Sequence, residues 1–268
     1  MQAIILVAGQ GSRLRPLTDH RPKCLVEVHG RALMAYQLDA LHAAGIRDCV
    51  IVVGHMADRV RDVVGTSYRD MAISYVENPI YYRTNNIYSL WLARGAIRDD
   101  VLLLEGDLIY DAALLTDLID APCDNAAVVD LFQPFMNGTV ILTGPDGARS
   151  DRADAMVLKR DQGEGFDFGP ALKTVNIYKF SYDAMAEVLM PALGECIAQG
   201  LTDDYYEGAI AQAVENGNLR LSVVRTGQRQ WAEIDTAEDL ADARRMRFAP
   251  PSGTAEPESD GLARSSWR

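Results

Sequence analysis

Along the first half of the chain, short apolar runs alternate with segments of helical period, and no other feature limits the fold as strongly. Residues 3–8 form an apolar run, 33–44 a helical-period segment, 49–54 a second run, and 101–106 a third, followed by a helix near Leu114. That alternation predicts βα units around a mostly parallel mixed sheet flanked by helices, a Rossmann-like α/β fold. In such sheets ligands bind beyond the carboxyl ends of the strands, so the residues that follow each run are the first candidates for chemistry. From residue 126 the rhythm changes to strands in pairs, with Asn137-Gly138 and Pro145-Asp146-Gly147 as turn signals and 173–180 as another strand. This predicts a small β lobe built onto the main sheet rather than an independent domain.

Residues 182–199 carry Met185, Leu189, Leu193 and Ile197 at helical spacing, read as core. A strand is expected at 219–224 and a last helix at 236–246, with Thr236 as its cap and Asp239 at the third helical position. The stretch APPSGTAEPESDGLARSSWR is rich in Pro, Ser and Gly, so the expected organisation is one domain over 1–248 and a disordered tail over 249–268. No internal repeat is evident. With 26 Lys and Arg against 38 Asp and Glu, the formal charge is -12, which argues against general attraction to nucleic acid or an anionic membrane. Cys24, Cys49, Cys123 and Cys196 lack CxxC spacing, so neither a zinc knuckle nor a stapled secreted fold is expected. The opening MQAIILVAGQG reads as a buried strand, not a signal peptide, and no stretch is long enough to span a bilayer. The expected setting is the cytoplasm.

The first apolar run leads into LVAGQGSRLRPLTDHRPKCLVEV, where glycines at a strand end let backbone amides approach an anion. Between residues 10 and 31 there are five basic residues, Arg13, Arg15, Arg21, Lys23 and Arg31, against Asp19 and Glu27. An acidic protein therefore carries a local basic excess suited to a triphosphate. A dinucleotide fingerprint would place a third glycine where Leu14 stands, and a P-loop would need Gly-Lys followed by Ser or Thr; both readings fail. The bland alternative is a glycine turn with a solvated basic face. A second stretch, NPIYYRTNNIYSLWLA, starts an apolar helix inside a pair of asparagines, Asn85 and Asn86. One asparagine is an ordinary cap. The second either shares that task or faces a ligand.

The run AGQGSRLRPLTDHRPKCL resembles the signature of nucleotidyltransferases that activate sugar phosphates and related compounds. Within that superfamily, TNNIYSLWLA, LEGDLIY, LKTVNIYKFS, YYEGAI and WAEID together resemble cytidylyltransferases acting on phosphocholine and on small phosphonates such as 2-aminoethyl- or 2-hydroxyethylphosphonate. The likeness covers about residues 1–246. It implies that Leu6, Ala8, Gly9, Gly11 and Ser12 hold base and phosphates, that Arg13 and Lys23 face the triphosphate, and that Asn86 and Ser89 read base and ribose. It implies further that Asp107 and Asp235 hold Mg²⁺ on the phosphates, a task suited to hard carboxylate oxygens. Taken alone, Asp107 would be a turn residue and Asp235 a helix cap.

On the acceptor side, served by the β lobe, the resemblance points to Lys159 and Lys173 for the acceptor's phosphate or phosphonate. Asp204, Tyr206, Glu207, Trp231 and Glu233 gather carboxylates and aromatic faces that suit a cationic end group; the alternative is an acidic helix start favoured by the helix dipole. The implied catalytic set is Lys23, Arg13, Asp107 and Asp235. A phosphate oxygen already ionised near neutral pH would attack the α-phosphorus of CTP and release pyrophosphate without a general base. The expected partners are CTP and a small phosphate or phosphonate acceptor, with a second copy of the chain in a homodimer as a further candidate. Two rival readings are a sugar-1-phosphate nucleotidylyltransferase and a nucleotide-binding module without catalysis.

Overall fold

The computed structural model describes residues 1–144 and 151–251; the expected turn at Pro145-Asp146-Gly147 and tail residues 252–268 lie outside the described residues. In chain order it begins with β1 (Gln2–Leu6), a hairpin of β2 (Glu27–Val28) and β3 (Arg31–Ala32), α1 (Leu33–Ala43), β4 (Asp48–Val53), α2 (Ala57–Val64), β5 (Ser67–Tyr68) and β6 (Met71–Glu77). Next come α3 (Asn86–Leu92), β7 (Val101–Glu105), β8 (Leu108–Tyr110), α4 (Ala113–Asp120), β9 (Ala126–Leu131), β10 (Val140–Thr143), β11 (Ala153–Val157) and β12 (Ala171–Phe180). A π-helical stretch, Ala184–Leu189, leads to α5 (Met190–Ala198), α6 (Glu207–Glu215), β13 (Ser222–Arg225), β14 (Trp231–Glu233) and α7 (Ala237–Ala243).

Among the described residues ten strands form one sheet in the order β11-β10-β12-β7-β1-β4-β6-β5, with β9 paired to β12 and β13 to β9. Strands β7, β1, β4 and β6 are parallel neighbours, whereas β12 runs antiparallel to β7 and carries the β lobe. The apolar runs are continuous because both faces of the parallel strands are covered. Ala3 and Ile5, with Cys49 and Ile51, pack under α1, α2 and α4 through Leu38, Leu41, Val60 and Leu115. Ile4 and Leu6, with Val50 and Val52, face the opposite layer of Ile87, Leu90, Met185, Leu193 and Ile210. The α1 N-terminus has no side-chain cap. Each fully buried Leu or Met contributes about 1.5–3 kcal/mol, more than the ~1 kcal/mol of a cap, so packing decides that this helix forms.

A third apolar cluster positions the site. Leu14, Val26, Val28, Leu33, Ile109, Ile234, Leu240 and Ala243 are buried together, joining the segment after the glycines to β8, β14 and α7. Strand β14 pairs antiparallel with β8, Glu233 opposite Leu108, and the Ile234 amide donates to the Asp107 carbonyl at 2.9 Å.

Two expectations need correction. The helix read over 182–199 is π-helical up to Leu189 before α5 begins; Pro191 has no amide to bond back to Glu187, so the ladder widens ahead of it. The strand read over 219–224 is Ser222–Arg225, because 219–221 still complete the turn after α6, with the Leu219 amide bonded to the Ala213 carbonyl. The last helix has the cap expected for it, with a reciprocal box between Thr236 and Asp239. Ala249, at the start of the expected tail, is hydrogen-bonded to Asp111 and Ala112.

Candidate active site

Beyond the carboxyl ends of β1 and β7 lies a cavity of about 690 Å³, within the range that encloses small-molecule ligands. Its near wall is the glycine segment. Gly11 has φ +61°, and a Cβ there would meet the Lys23 Cβ at 3.0 Å, so the left-handed turn and the close passage of Lys23 both require glycine. Thr18 locks the turn by donating from Oγ1 to the Gly11 carbonyl at 2.8 Å. Leu6, Ala8, Gly9, Gly11, Ser12 and Arg13 line the cavity along this segment.

Lys23 follows Pro22 on a short 3-10 turn and is only 16% exposed. Its Nζ donates to Asp107 Oδ2 and to Asp235 Oδ1, both at 2.7 Å. Burial alone would lower its pKa, but the two carboxylates outweigh that and the net direction is up. Arg13 also pairs with Asp235, 2.9 Å away, although its own side chain is 67% exposed. An exposed ion pair of this kind is worth at most about 1 kcal/mol, so little holds the Arg13 side chain to Asp235.

Asp107, Glu233 and Asp235 bring ligand atoms within 4.8 Å of one another. Asp107 Oδ1 is buried and has no hydrogen-bond partner among the described residues. Leaving such an oxygen unsatisfied costs on the order of 1–3 kcal/mol or more. All three groups offer hard oxygens, so the set fits a divalent cation that prefers carboxylates and keeps part of its water. Glu233, expected on the acceptor side, therefore borders both halves of the site. Its carboxyl is raised above the usual range by burial, against the pull of Lys173.

The far wall is built by the β lobe. Lys173 on β12 is almost fully buried, donates to the Thr174 carbonyl at 2.6 Å and lies 3.7 Å from Glu233. Gly138 makes room for it, since a Cβ there would stand 3.2 Å from its Nζ. Lys159 reaches Asn137 Oδ1 at 3.2 Å from the rim. Glu207, at the first position of α6, faces the cavity; burial pushes its carboxyl up to about 7. Glu105 at the end of β7 is raised well above its ordinary range by burial, Asp107 and Glu207.

The cavity is lined by Lys23, Asn86, Ser89, Asp107, Lys159, Lys173, Glu207, Glu233 and Asp235, together with the glycine-segment residues named above. Three expected acceptor residues do not line it. Asp204 is paired with Arg160. Tyr206 is wholly buried beneath the wall. The Trp231 indole donates to Asp130 at 2.7 Å, and its ring lies 5.9 Å from Lys173 Nζ, so its nearest cation is the protein's own. Asn85 caps α3 by accepting from the Asn86 amide at 2.9 Å. Asn86 lines the cavity, but its side-chain amide is engaged by Glu105, Glu207 and the Tyr206 amide. Ser89 accepts from Asn78 Nδ2 at 3.1 Å.

Sequence reasoning missed Glu105 and Asn176. Asn176 sits at φ +60° where the β12–β9 register shifts, and it lines the cavity. A bulge beside a site is a recurrent device, yet no local residue pattern marks it. Glu105 had a visible signal, its place two residues before Asp107 at a strand end. Among the described residues no histidine lines the cavity.

A profile of the MobA-like NTP transferase domain matches residues 3–166. The chain is 36% identical over 253 residues to the CMP-5'-(3-aminopropyl)phosphonate synthase of Streptomyces rubellomurinus, covering 94% of this chain and 39% of that protein, so it spans about two fifths of that relative's length. It is 33% identical over 247 residues to the 2-aminoethylphosphonate cytidylyltransferase of Lancefieldella rimae, covering 89% of this chain and 90% of that one. The fold is that of the CTP:phosphocholine cytidylyltransferase from Streptococcus pneumoniae, with a TM-score of 0.72 at 22% identity over 91% of this chain and 97% of that one.

Proposed function

The chain belongs to the MobA-like NTP transferase family, and from that premise we propose that it transfers CMP from CTP to a small phosphonate or phosphate acceptor bearing a cationic end, with release of pyrophosphate. One observation carries the reading: a basic glycine segment, a carboxylate trio and a wall of both lysines and glutamates meet in one cavity. A zwitterionic acceptor needs both signs of charge on the same wall. Lys159 and Lys173 supply the positive part for its phosphonate; Glu207 and Glu233 supply the negative part for its cation. The two relatives with phosphonate names support this choice of acceptor class.

In the proposed reaction an ionised acceptor oxygen forms a bond to the α-phosphorus of CTP while the bond to the bridging oxygen of pyrophosphate breaks. No proton has to be removed, because an acceptor of this type is largely ionised near neutral pH; the lack of a lining histidine agrees with that. The work of the chain is positioning and charge neutralisation. Leu6, Ala8, Gly9, Gly11 and Ser12 with Ser89 surround the nucleotide, and Lys23 and Arg13 turn from the carboxylates to the triphosphate. Asp107 and Asp235, with Glu233 beside them, would hold Mg²⁺, which supplies neutralisation of the phosphates and of the leaving pyrophosphate. No helix among the described residues is long and apolar enough to cross a membrane; a cytoplasmic setting belongs to the proposal, and light scattering would report a homodimer.

The test is an acceptor screen with CTP and Mg²⁺, read by mass spectrometry for CMP conjugates. Conjugates of 2-aminoethylphosphonate or phosphocholine are expected. Turnover confined to glucose 1-phosphate with UTP or dTTP would replace this reading with the sugar-phosphate one. Calorimetric binding of CTP with no conjugate from any acceptor, 2-hydroxyethylphosphonate included, would reduce the protein to a binding module.

A further inference from the structure

The start of α3 is bound to the segment that leads into α6. The Asn85 amide donates to the Thr202 carbonyl at 3.0 Å, and the Ile87 amide to the Asp204 carbonyl at 3.3 Å. Between them the Tyr206 amide donates to Asn86 Oδ1 at 3.0 Å, while Asn86 Nδ2 reaches Glu105 Oε1 at 3.1 Å and Glu207 Oε2 at 3.5 Å. A primary amide has two N–H donors and one carbonyl acceptor; here the protein engages both kinds of group. The orientation is fixed by these partners. A flipped amide would set its oxygen against two carboxylates and its NH2 against a backbone N–H, three repulsive contacts in place of three attractive ones.

Glu105 and Glu207 come from distant parts of the chain and share one donor. The Asn86 NH2 holds both in place, while the amide oxygen fixes the backbone immediately before Glu207. Resting on the reading of the acceptor given above, we infer that Asn86 is a positioning residue for the acceptor: anchored on Glu105, it holds Glu207 toward the acceptor's cationic end and does not read the nucleotide. Preorganised carboxylates bind a cation without the cost of being ordered at that moment. The asparagine pair then divides its labour, Asn85 starting one helix and Asn86 docking the start of another.

The experiment compares Asn86→Leu and Asn86→Asp with wild type in two assays, CTP binding by calorimetry and steady-state turnover of 2-aminoethylphosphonate against ethylphosphonate, which has no cation. The CTP Kd is expected to stay within about twofold and the KM for 2-aminoethylphosphonate to rise about tenfold or more, the size of one lost hydrogen bond to a charged group. The KM for ethylphosphonate should move far less. A weakened CTP Kd with an unchanged 2-aminoethylphosphonate KM would overturn the inference. Because CTP binding is read separately, the absence of any turnover by wild type would count against the proposed reaction, and the Kd alone would then decide the role of Asn86. Glu207→Gln tests the same link from the other side and does not depend on the Asn86 variants folding. It should raise the 2-aminoethylphosphonate KM while sparing CTP, and adding Asn86→Leu should give less than the product of the two effects. Independent, multiplying effects would contradict a shared task.

Discussion

At the scale of single residues, Asp107 and Asp235 are 128 positions apart and share the ammonium of Lys23. If both carboxylates serve charge that develops in the transition state, Asp107→Asn and Asp235→Asn should each lower kcat by about 10²–10³-fold, while the CTP Kd measured without divalent cation moves little. Steady-state kinetics beside calorimetry separates the two quantities; wild-type kcat in either variant would refute the assignment. Glu207 gives a pH dependence. Burial raises its carboxyl to about 7, partly opposed by its own backbone amide, Asn86 and Lys173. It is neutral below that value and anionic above; both acceptors gain charge at phosphorus as the pH rises from about 6 to 8, but the KM for 2-aminoethylphosphonate should fall more than that for ethylphosphonate. The stability sign is opposite: a carboxyl raised in the folded state favours folding most below its unfolded pKa, and that contribution is lost as the pH passes about 7. Lys23, Asp107 and Asp235 were legible because each sits in a distinctive motif. The partners of Asn86 were not, since they come from residues 105 and 206–207 and only the tertiary fold brings them together.

At the scale of elements, the site depends on how the last strand and helix are held. Strand β14 delivers Asp235 by pairing with β8, and the α7 capping box fixes the backbone just after it. Asp239 Oδ2 accepts from the Thr236 amide at 2.7 Å and also from the Asp235 amide at 3.0 Å. Asp239→Ala should therefore cost about 1 kcal/mol in urea unfolding and also lower turnover, whereas loss of stability without any kinetic change would mean that the cap does not position Asp235. The periodic helices and parallel strands could be read from the chain because burial on both faces dictates their composition. The π turn before Pro191 and the left-handed Asn176 in β12 could not: one depends on a missing amide bond and the other on a register shift between distant strands.

At the scale of the molecule, the site joins the beginning, middle and end of the domain, through Lys23, Asp107 and Asp235, across an otherwise acidic chain. Before ligands arrive, Lys23 neutralises the carboxylates that would hold the cation. In the proposed reaction the triphosphate would compete for Lys23 and Arg13, so nucleotide and cation should each strengthen the other's binding. The central claim is that Asp107 and Asp235 take the cation when Lys23 moves to the triphosphate. Mn²⁺ titration followed by electron paramagnetic resonance, with and without a non-hydrolysable CTP analogue, tests it most directly. Protein-dependent Mn²⁺ binding at least about tenfold tighter with the analogue, and lost in Asp235→Asn, is the predicted result; equal binding with and without the analogue, unaffected by Asp235→Asn, would contradict the account.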